Sequence, residues 1–297
     1  MKLGGWIELS PHEATRFDHG DVHLRTGWVF LAHTARGTVE VIDGAAAAHV
    51  ATIVGCPEAS GVLCVQGEAV VFAASRGAGK ILVIGAESAL VMAEIHVGPR
   101  PNGLAWDLRR KQLLVADVED FRARLVDHAQ RRVLRDAALP GRPRWCVYDR
   151  LHDRFLVNIR EPACVVVLAA ESLEERHRWP ISGAGPHGLD VDVDRGLAFV
   201  ACDAGVVSIV DLATGRERAT VAIAGEPDVI WHSPRRGRLY VAIGQPGVID
   251  VIDTGTLARV EQITTEPGAH TTAFDPARAR LYAFLPKTCR TVAFDDA

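Results

Sequence analysis

The sequence lacks any excess of positive charge, with 33 Lys and Arg against 37 Asp and Glu and a formal net charge of −4. This balance provides no broad basic face for a phosphate backbone, so nucleic acid is not an expected partner. No run reaches the roughly 18 apolar residues of a membrane span, and the first residues, MKLGGWIELS, lack the apolar core of a secretory signal. We therefore expect a cytoplasmic protein that does not bind membranes.

Cysteines are few and scattered: six occur in 297 residues, without a C-x-x-C pair. Their low density predicts reduced, buried thiols and not a disulfide scaffold. The sequence also lacks a G-x-S-x-G elbow, a P-loop, a Rossmann glycine run and an H-E-x-x-H helix. No nucleotide or flavin cofactor is therefore expected.

What the sequence does contain is a repeat. One apolar run recurs seven times, and its last residue falls at the same spacing of 42 in every copy: Asp43, Gly85, Asp127, Ala169, Asp211, Asp253 and Asp295. Each unit reads as four short strands separated by polar and Gly-containing turns, with no helical pattern between them. That is typical of a β-propeller blade.

Seven such units predict an all-β fold, a seven-bladed β-propeller of four-stranded antiparallel blades that spans residues 1–297 as one domain. The last unit ends after its third strand, near Asp295. The segment GGWIEL, Gly4 to Leu9, lies where a fourth strand belongs. We expect this N-terminal strand to complete the last blade, which removes an exposed sheet edge.

The segments RLYVAIG and VIDVIDTGTLARV resemble the YVTN repeat of YncE-like propellers. The resemblance covers the whole chain and implies the propeller fold. It implies little about function, because propellers of this kind include binding proteins, surface proteins and enzymes.

A set of equivalent positions, where each innermost strand begins, should converge at one mouth of the central channel. We take the residue after the Pro of each G-x-P-x step as the reference position. This position holds Glu58, Asn102, Arg144, His187 and Asp228, then His270, where Ala replaces the Pro, and in the first unit Asp18 with its neighbour His19. Gathering these charges at a narrow mouth costs desolvation unless they pair or bind something. We predict a small-molecule site there.

Two histidines and a carboxylate from consecutive blades, His187, Asp228 and His270, suit a divalent cation with open positions or a general base held by a carboxylate. Arg144 would hold an anionic group of the substrate. The step GPHG is similar to the P-H-G steps of streptogramin lyases. That similarity implies channel-mouth histidines that act with magnesium to open a lactone, with His187 and His270 at the matching positions.

The stretch GPHGLDVDVD, residues 185–194, looks like the start of a calcium loop, but the repeat identifies it as an inner strand. Asp192 and Asp194 then belong to a turn, whereas Asp190 matches only Asp21 of the first unit and is a candidate ligand-binding residue. His33 is another. The loop before the first inner strand adds His12 and Glu13, which are interpreted as solvated.

Two functions remain open from the sequence. The first is a metal-assisted lyase or hydrolase of a lactone or ester, with His187, His270 and Arg144 as catalytic residues. The second is a non-catalytic binding or interaction scaffold, with a protein among its candidate partners. In the scaffold the charges of the mouth neutralise one another, for example Arg144 with Glu58 or with Asp228.

Overall fold

The computed structural model describes residues 1–9 and 15–296, so His12 and Glu13 lie outside the described residues. Within this part of the chain, 28 strands form seven sheets of four antiparallel strands. One short 3-10 helix, η1 (Arg76–Ala78), lies outside the sheets. The innermost strands of neighbouring sheets contact one another in a closed circle. The predicted all-β, seven-bladed propeller is confirmed.

The first four blades each contain consecutive strands, which run in order from the channel outward. Blade 1 consists of β2 (Phe17–His23), β3 (Trp28–His33), β4 (Thr38–Asp43) and β5 (Ala48–Ile53). Blade 2 consists of β6 (Ala59–Val65), β7 (Val70–Ser75), β8 (Lys80–Gly85) and β9 (Val91–His96). Blade 3 consists of β10 (Pro101–Asp107), β11 (Gln112–Asp117), β12 (Arg122–Asp127) and β13 (Arg132–Ala138). Blade 4 consists of β14 (Pro143–Asp149), β15 (Arg154–Ile159), β16 (Cys164–Ala169) and β17 (Glu175–Pro180).

The last three blades follow the same order, and the final one is completed from the other end of the chain. Blade 5 consists of β18 (Pro186–Asp192), β19 (Leu197–Cys202), β20 (Val206–Asp211) and β21 (Glu217–Ala222). Blade 6 consists of β22 (Pro227–Ser233), β23 (Arg238–Ile243), β24 (Val248–Asp253) and β25 (Ala258–Thr264). Blade 7 consists of β26 (Thr271–Asp275), β27 (Arg280–Leu285), β28 (Arg290–Asp295) and β1 (Lys2–Glu8).

The recurrent apolar run is the third strand of every blade. Where this strand ends in Asp, the side chain can bond the backbone of the turn that follows. The Asp43 carboxylate accepts hydrogen bonds from the N–H groups of Ala45 and Ala46, both at 2.8 Å. Asp253 does the same for Gly255 and Thr256, at 3.0 and 2.7 Å. The Asp thus caps the turn into the fourth strand, as Asp side chains commonly do.

Apolar contacts between neighbouring blades hold the ring together. Seven clusters of buried side chains lie in the described chain, and each joins one blade to the next. Phe30, Phe72, Tyr240 and Tyr282 are fully buried at one register of the repeat. The predicted closure is confirmed: β1 pairs with β28, and Ile7 packs between blades 7 and 1.

The stretch that looks like a calcium loop contains the strand β18, as the repeat predicts. Asp192 ends this strand and accepts a hydrogen bond from the N–H of Arg195 at 3.0 Å, so it is a turn residue. All six cysteines are buried, as expected, and burial raises the pKa of the Cys164 thiol to about 11. No helix among the described residues is long and apolar enough to cross a membrane.

Candidate functional site at the channel mouth

The structure brings most of the predicted ring together at one end of the channel. The reference position is the second residue of an innermost strand for Asp18, Asn102, Arg144, His187 and Asp228, and the residue before the strand for His270. These side chains line one cavity of about 260 Å³, together with His19, Arg16, Arg76 and Arg100. For Asn102, Arg144, His187 and Asp228, the preceding Pro begins the strand nearest the channel axis and so places the side chain there.

Glu58 does not occupy the ring position, and here the predicted alignment is wrong. Blade 2 begins its inner strand at Ala59, so Ser60 takes the reference position and is fully buried. Glu58 precedes the strand in a left-handed conformation, with φ of 48°, and pairs with Arg100. Pro57 misled the alignment because it stands two residues before the strand instead of within it. Glu58 belongs to an outer ring with Arg16, Arg100 and Arg142.

Asp228 bridges the two predicted histidines. Its Oδ1 lies 3.1 Å from Nε2 of His187, and its Oδ2 lies 2.8 Å from Nδ1 of His270. Three consecutive blades therefore contribute one hydrogen-bonded His–Asp–His group. The other ring nitrogen of His270, Nε2, has no bonding partner among the residues that the structure describes.

His187 is held by a second carboxylate. Its Nδ1 lies 2.9 Å from Oδ1 of Asp203, which follows β19, and Arg160 binds Oδ2 of the same carboxylate at 2.8 Å. Since both ring nitrogens of His187 face carboxylate oxygens, only the imidazolium, with an N–H on each nitrogen, satisfies both contacts. The geometry favours a charged His187.

The pKa shifts follow this geometry. Burial disfavours the charged form of His187, but the carboxylates of Asp228 and Asp203 outweigh it and raise its pKa above the usual value. The pKa of His270 is likewise raised, with burial opposed by its bond to Asp228. Burial alone would raise the pKa of Asp228, yet the two histidines hold it well below its usual range. The group therefore favours a carboxylate between two imidazolium rings.

The opposite wall of the cavity is rich in arginine. Arg76, from η1, binds Asp18 at 2.7 Å and Asn102 at 3.1 Å. Burial lowers the pKa of Arg142, and the nearby charges of Arg144, Arg160, Arg76 and Arg100 lower it further. Four arginines and two carboxylates line the cavity itself. Its electrostatic character suits an anion.

His19 and Trp145 form the floor of the mouth. Their rings stack with centroids 3.6 Å apart and planes within 7°. Burial lowers the pKa of His19, so its ring is neutral near neutral pH. Its Nδ1 is buried and without a hydrogen-bond partner among the described residues.

Two other predicted residues lie away from the mouth. His33 is buried inside blade 1, where its Nδ1 lies 3.2 Å from Glu40 and its ring packs on Phe17. It does not line the mouth cavity. Asp190 lies deeper in the channel, where its carboxylate accepts the N–H groups of Val191 and His232 at 2.8 and 2.6 Å.

The predicted neutralising pairs of Arg144 differ from those observed. Glu58 pairs with Arg100, and Asp228 pairs with the two histidines. Arg144 instead places Nη2 3.3 Å from Nδ1 of His187. Its guanidinium therefore faces the cavity beside the His–Asp–His group, because other residues already neutralise the carboxylates that it was expected to bind.

The observed contacts fit a divalent ion poorly at the three residues predicted to hold one. Both ring nitrogens of His187 bond carboxylates, and a guanidinium lies beside it. Among residues 1–9 and 15–296, no group of three His, Cys, Asp or Glu side chains is arranged to hold a metal ion. An ion there would first have to break the His–Asp–His bonds. The metal site expected from the sequence therefore calls for a direct measurement of metal content.

Sequence reasoning missed Asp203, Arg100 and Arg16. Asp203 follows β19, where Asp commonly caps a turn, but here it orients His187. Arg16 and Arg100, with Arg142, stand two residues before the reference position, where the repeat offers a usable signal: three arginines in equivalent places of blades 1, 3 and 4. Reading a second register beside the first would have found them.

Comparison with known proteins shows the fold alone. No family model and no curated protein matches the chain. The chain is similar to one in the solved structure of Kuenenia stuttgartiensis hydrazine synthase, with 13% sequence identity, a TM-score of 0.86 and coverage of 97% of both chains. At this identity the likeness supports the propeller architecture and carries no activity to this protein.

Proposed function

We propose that the channel mouth binds a small anionic molecule, and that the His–Asp–His group transfers protons on it in an elimination or hydrolysis of a lactone or ester. The observation that carries this proposal is the Asp228 carboxylate between His187 and His270, opposite a wall of arginines. A volume of about 260 Å³ limits the ligand to a small molecule.

The two histidines have different roles in this proposal. His270 donates Nδ1–H to Asp228, so in its neutral form Nε2 is a base. His187 has both of its N–H groups bonded to carboxylates, so it holds Asp228 in place and adds positive charge beside the substrate. In an elimination, His270 takes a proton from carbon, the alkyl C–O bond of the lactone or ester breaks, and the departing group leaves as a carboxylate, which needs no proton. In a hydrolysis, His270 takes a proton from water, whose oxygen bonds the carbonyl carbon, and returns that proton to the departing oxygen as the C–O bond breaks.

Arg144 positions the substrate. Its guanidinium lies beside His187, and a planar fork of N–H donors matches a carboxylate. Arg76 is already engaged by Asp18 and Asn102, so it shapes the wall more than it offers free donors. The similarity of the GPHG step to streptogramin lyases supports the same choice of reaction class.

The test separates binding from turnover. Binding of succinate, a small dianion, is measured by calorimetry for the wild type, for Arg144→Gln and for Arg235→Gln, an exposed control. We expect Arg144→Gln to bind at least about tenfold more weakly, because one charge-assisted bidentate contact is lost. Unchanged binding in Arg144→Gln, or no binding by the wild type, would contradict an anion site.

Turnover is then followed with carboxylate-bearing lactones and aryl esters. We expect His270→Ala to lose about 10²–10⁴-fold in rate, the usual contribution of a general base, while succinate still binds. The binding scaffold is favoured by the charge pairs already formed, Arg100 with Glu58 and Arg160 with Asp203. Succinate binding without turnover of any substrate in this panel would favour the scaffold.

A further inference from the structure

A second cavity, of about 250 Å³, lies deeper in the channel. Trp145 lines both cavities, and with His19 it stands between them. The cavity is bounded by residues further along the innermost strands, and Leu108 and Arg150 mark its far end. It is therefore distinct from the mouth and faces the other end of the channel.

Aromatic side chains make up much of its wall. They come from three different blades, and all are only partly buried: Trp106, Trp145, Tyr148 and Trp231. Large aromatic faces left accessible inside a channel are surfaces for stacking or for a cation, whose charge the ring quadrupole attracts.

Two carboxyl groups, Asp21 of blade 1 and Asp190 of blade 5, line the same cavity. Each accepts two backbone N–H groups, one of its own strand and one of the next blade. Asp21 binds Val22 at 2.7 Å and Cys64 at 2.8 Å. A carboxylate offers about four lone-pair sites, so two such bonds leave acceptor capacity on each group.

The hydrogen bond to the next blade does not by itself explain why these two residues are acidic. The equivalent place in the other five blades holds a side chain without a carboxylate: Leu63, Ala105, Val147, Trp231 and Ala273. Those blades form the same sheets and the same inner circle. The fold therefore does not require an acid at this position.

The two acids are electrostatically unfavourable as they stand. Burial raises the pKa of Asp21 to about 7, and the charge of Asp190 raises it as well. Burial likewise raises the pKa of Asp190 to about 6. Arg150 also lines the cavity, but its guanidinium pairs with the Asp194 carboxylate at 3.4 Å and is not available to the two acids alone. A cation between the two carboxylates would relieve this cost.

We propose that this deeper cavity binds an organic cation, a substituted ammonium group held between Asp21 and Asp190 and packed against Trp106 and Trp231. The ammonium group lies between the two carboxylates, and its methyl or methylene groups contact the indole faces. The site is independent of the anion site at the mouth, which uses other residues.

The test uses choline as the probe and 3,3-dimethyl-1-butanol as its neutral isostere, at about pH 8, where both acids are largely ionised. Binding is measured by calorimetry and by quenching of tryptophan fluorescence. We expect choline to bind the wild type at least about tenfold more tightly than the isostere. We expect the Asp21→Asn/Asp190→Asn double variant to bind choline at least about tenfold more weakly than the wild type does. Trp231→Leu should weaken choline binding by a smaller factor.

Two controls locate the effect. Glu171→Gln, which removes an exposed charge from an outer turn, and His270→Ala, at the mouth, should both bind choline as the wild type does. Equal affinity for choline and the isostere, or no choline binding, would overturn the proposal. That comparison needs only the wild type, so it holds even where the double variant fails to fold. Full choline affinity in a folded double variant would overturn it too.

Discussion

Asp228 of blade 6 holds His270 of blade 7 at 2.8 Å and His187 of blade 5 at 3.1 Å. The three residues are 41 and 42 positions apart in sequence, so only the packing of consecutive blades brings them together. The carboxylate fixes the orientation of both rings and raises both of their pKa values. Stability and binding at the mouth should therefore depend on this one side chain.

Stability should fall on the alkaline side because of this group. The pKa values of His187 and His270 are raised above 6.5, so their contribution is complete below about 6.5 and is lost as pH rises through the folded-state values. That of Asp228 is lowered below 3.8, so its contribution is lost only in acid. Urea unfolding at about pH 5.5 and about pH 8.5 measures the difference in free energy.

Asp228→Asn should reduce this alkaline decline, because His270 then loses its bonded carboxylate and His187 keeps only Asp203. The exposed Asp194→Asn variant is the matched control and should decline as the wild type does. An equal decline in Asp228→Asn and the wild type would show that other groups cause it.

The metal content of the purified protein tests the metal site predicted from the sequence. Because both nitrogens of His187 bond carboxylates, we expect no stoichiometric divalent ion in the purified protein. Elemental analysis measures the metal equivalents per protein in the wild type, in His187→Ala and in His270→Ala. One equivalent of metal in the wild type that disappears in either variant would establish the predicted metal centre instead.

Ring closure should depend on Ile7, which is 2% exposed and packs between the first and last blades. Ile7→Ala should lower the free energy of unfolding by about 2–5 kcal/mol, the usual loss for a buried aliphatic side chain. Leu3→Ala, at a side chain 60% exposed on the same strand, should change it by about 0.5 kcal/mol or less. Equilibrium urea titration compares the two, and equal effects would mean that packing at Ile7 does not secure the closure.

Stability should also depend on a buried hydrogen-bond network in blade 1. Glu40 is fully buried and accepts hydrogen bonds from Thr38 at 2.7 Å and Thr52 at 2.6 Å, and it contacts His33 and His49. Glu40→Ala should cost about 3–5 kcal/mol, because the partners are left buried without their acceptor.

Glu94→Ala is the control for Glu40→Ala. Glu94 pairs with Lys80 on the surface of blade 2 and should contribute about 1 kcal/mol or less. Chemical unfolding of both variants tests the difference. A small effect at Glu40 would mean that water replaces the carboxylate.

The ring positions were predicted most accurately where a Pro marks the start of the inner strand. Asn102, Arg144, His187 and Asp228 each follow a Pro that begins an inner strand, so counting from that Pro placed them correctly. In blade 2 the Pro stands outside the strand, and the same count selected Glu58 in place of Ser60. His33 ends the second strand of blade 1, but its side chain faces Glu40, a direction that repeat spacing does not specify.

The sequence by itself determined the architecture: a spacing of 42 residues, maintained seven times, allows one strand order and one closure, because each blade can bury its apolar faces only against the next. Only the tertiary structure decided the partners at the mouth. Asp203, Arg100 and Arg16 join the site through loop geometry, and the pairing of Asp228 with two histidines depends on distances of a few ångströms across blades. Such distances are set by packing around the whole ring.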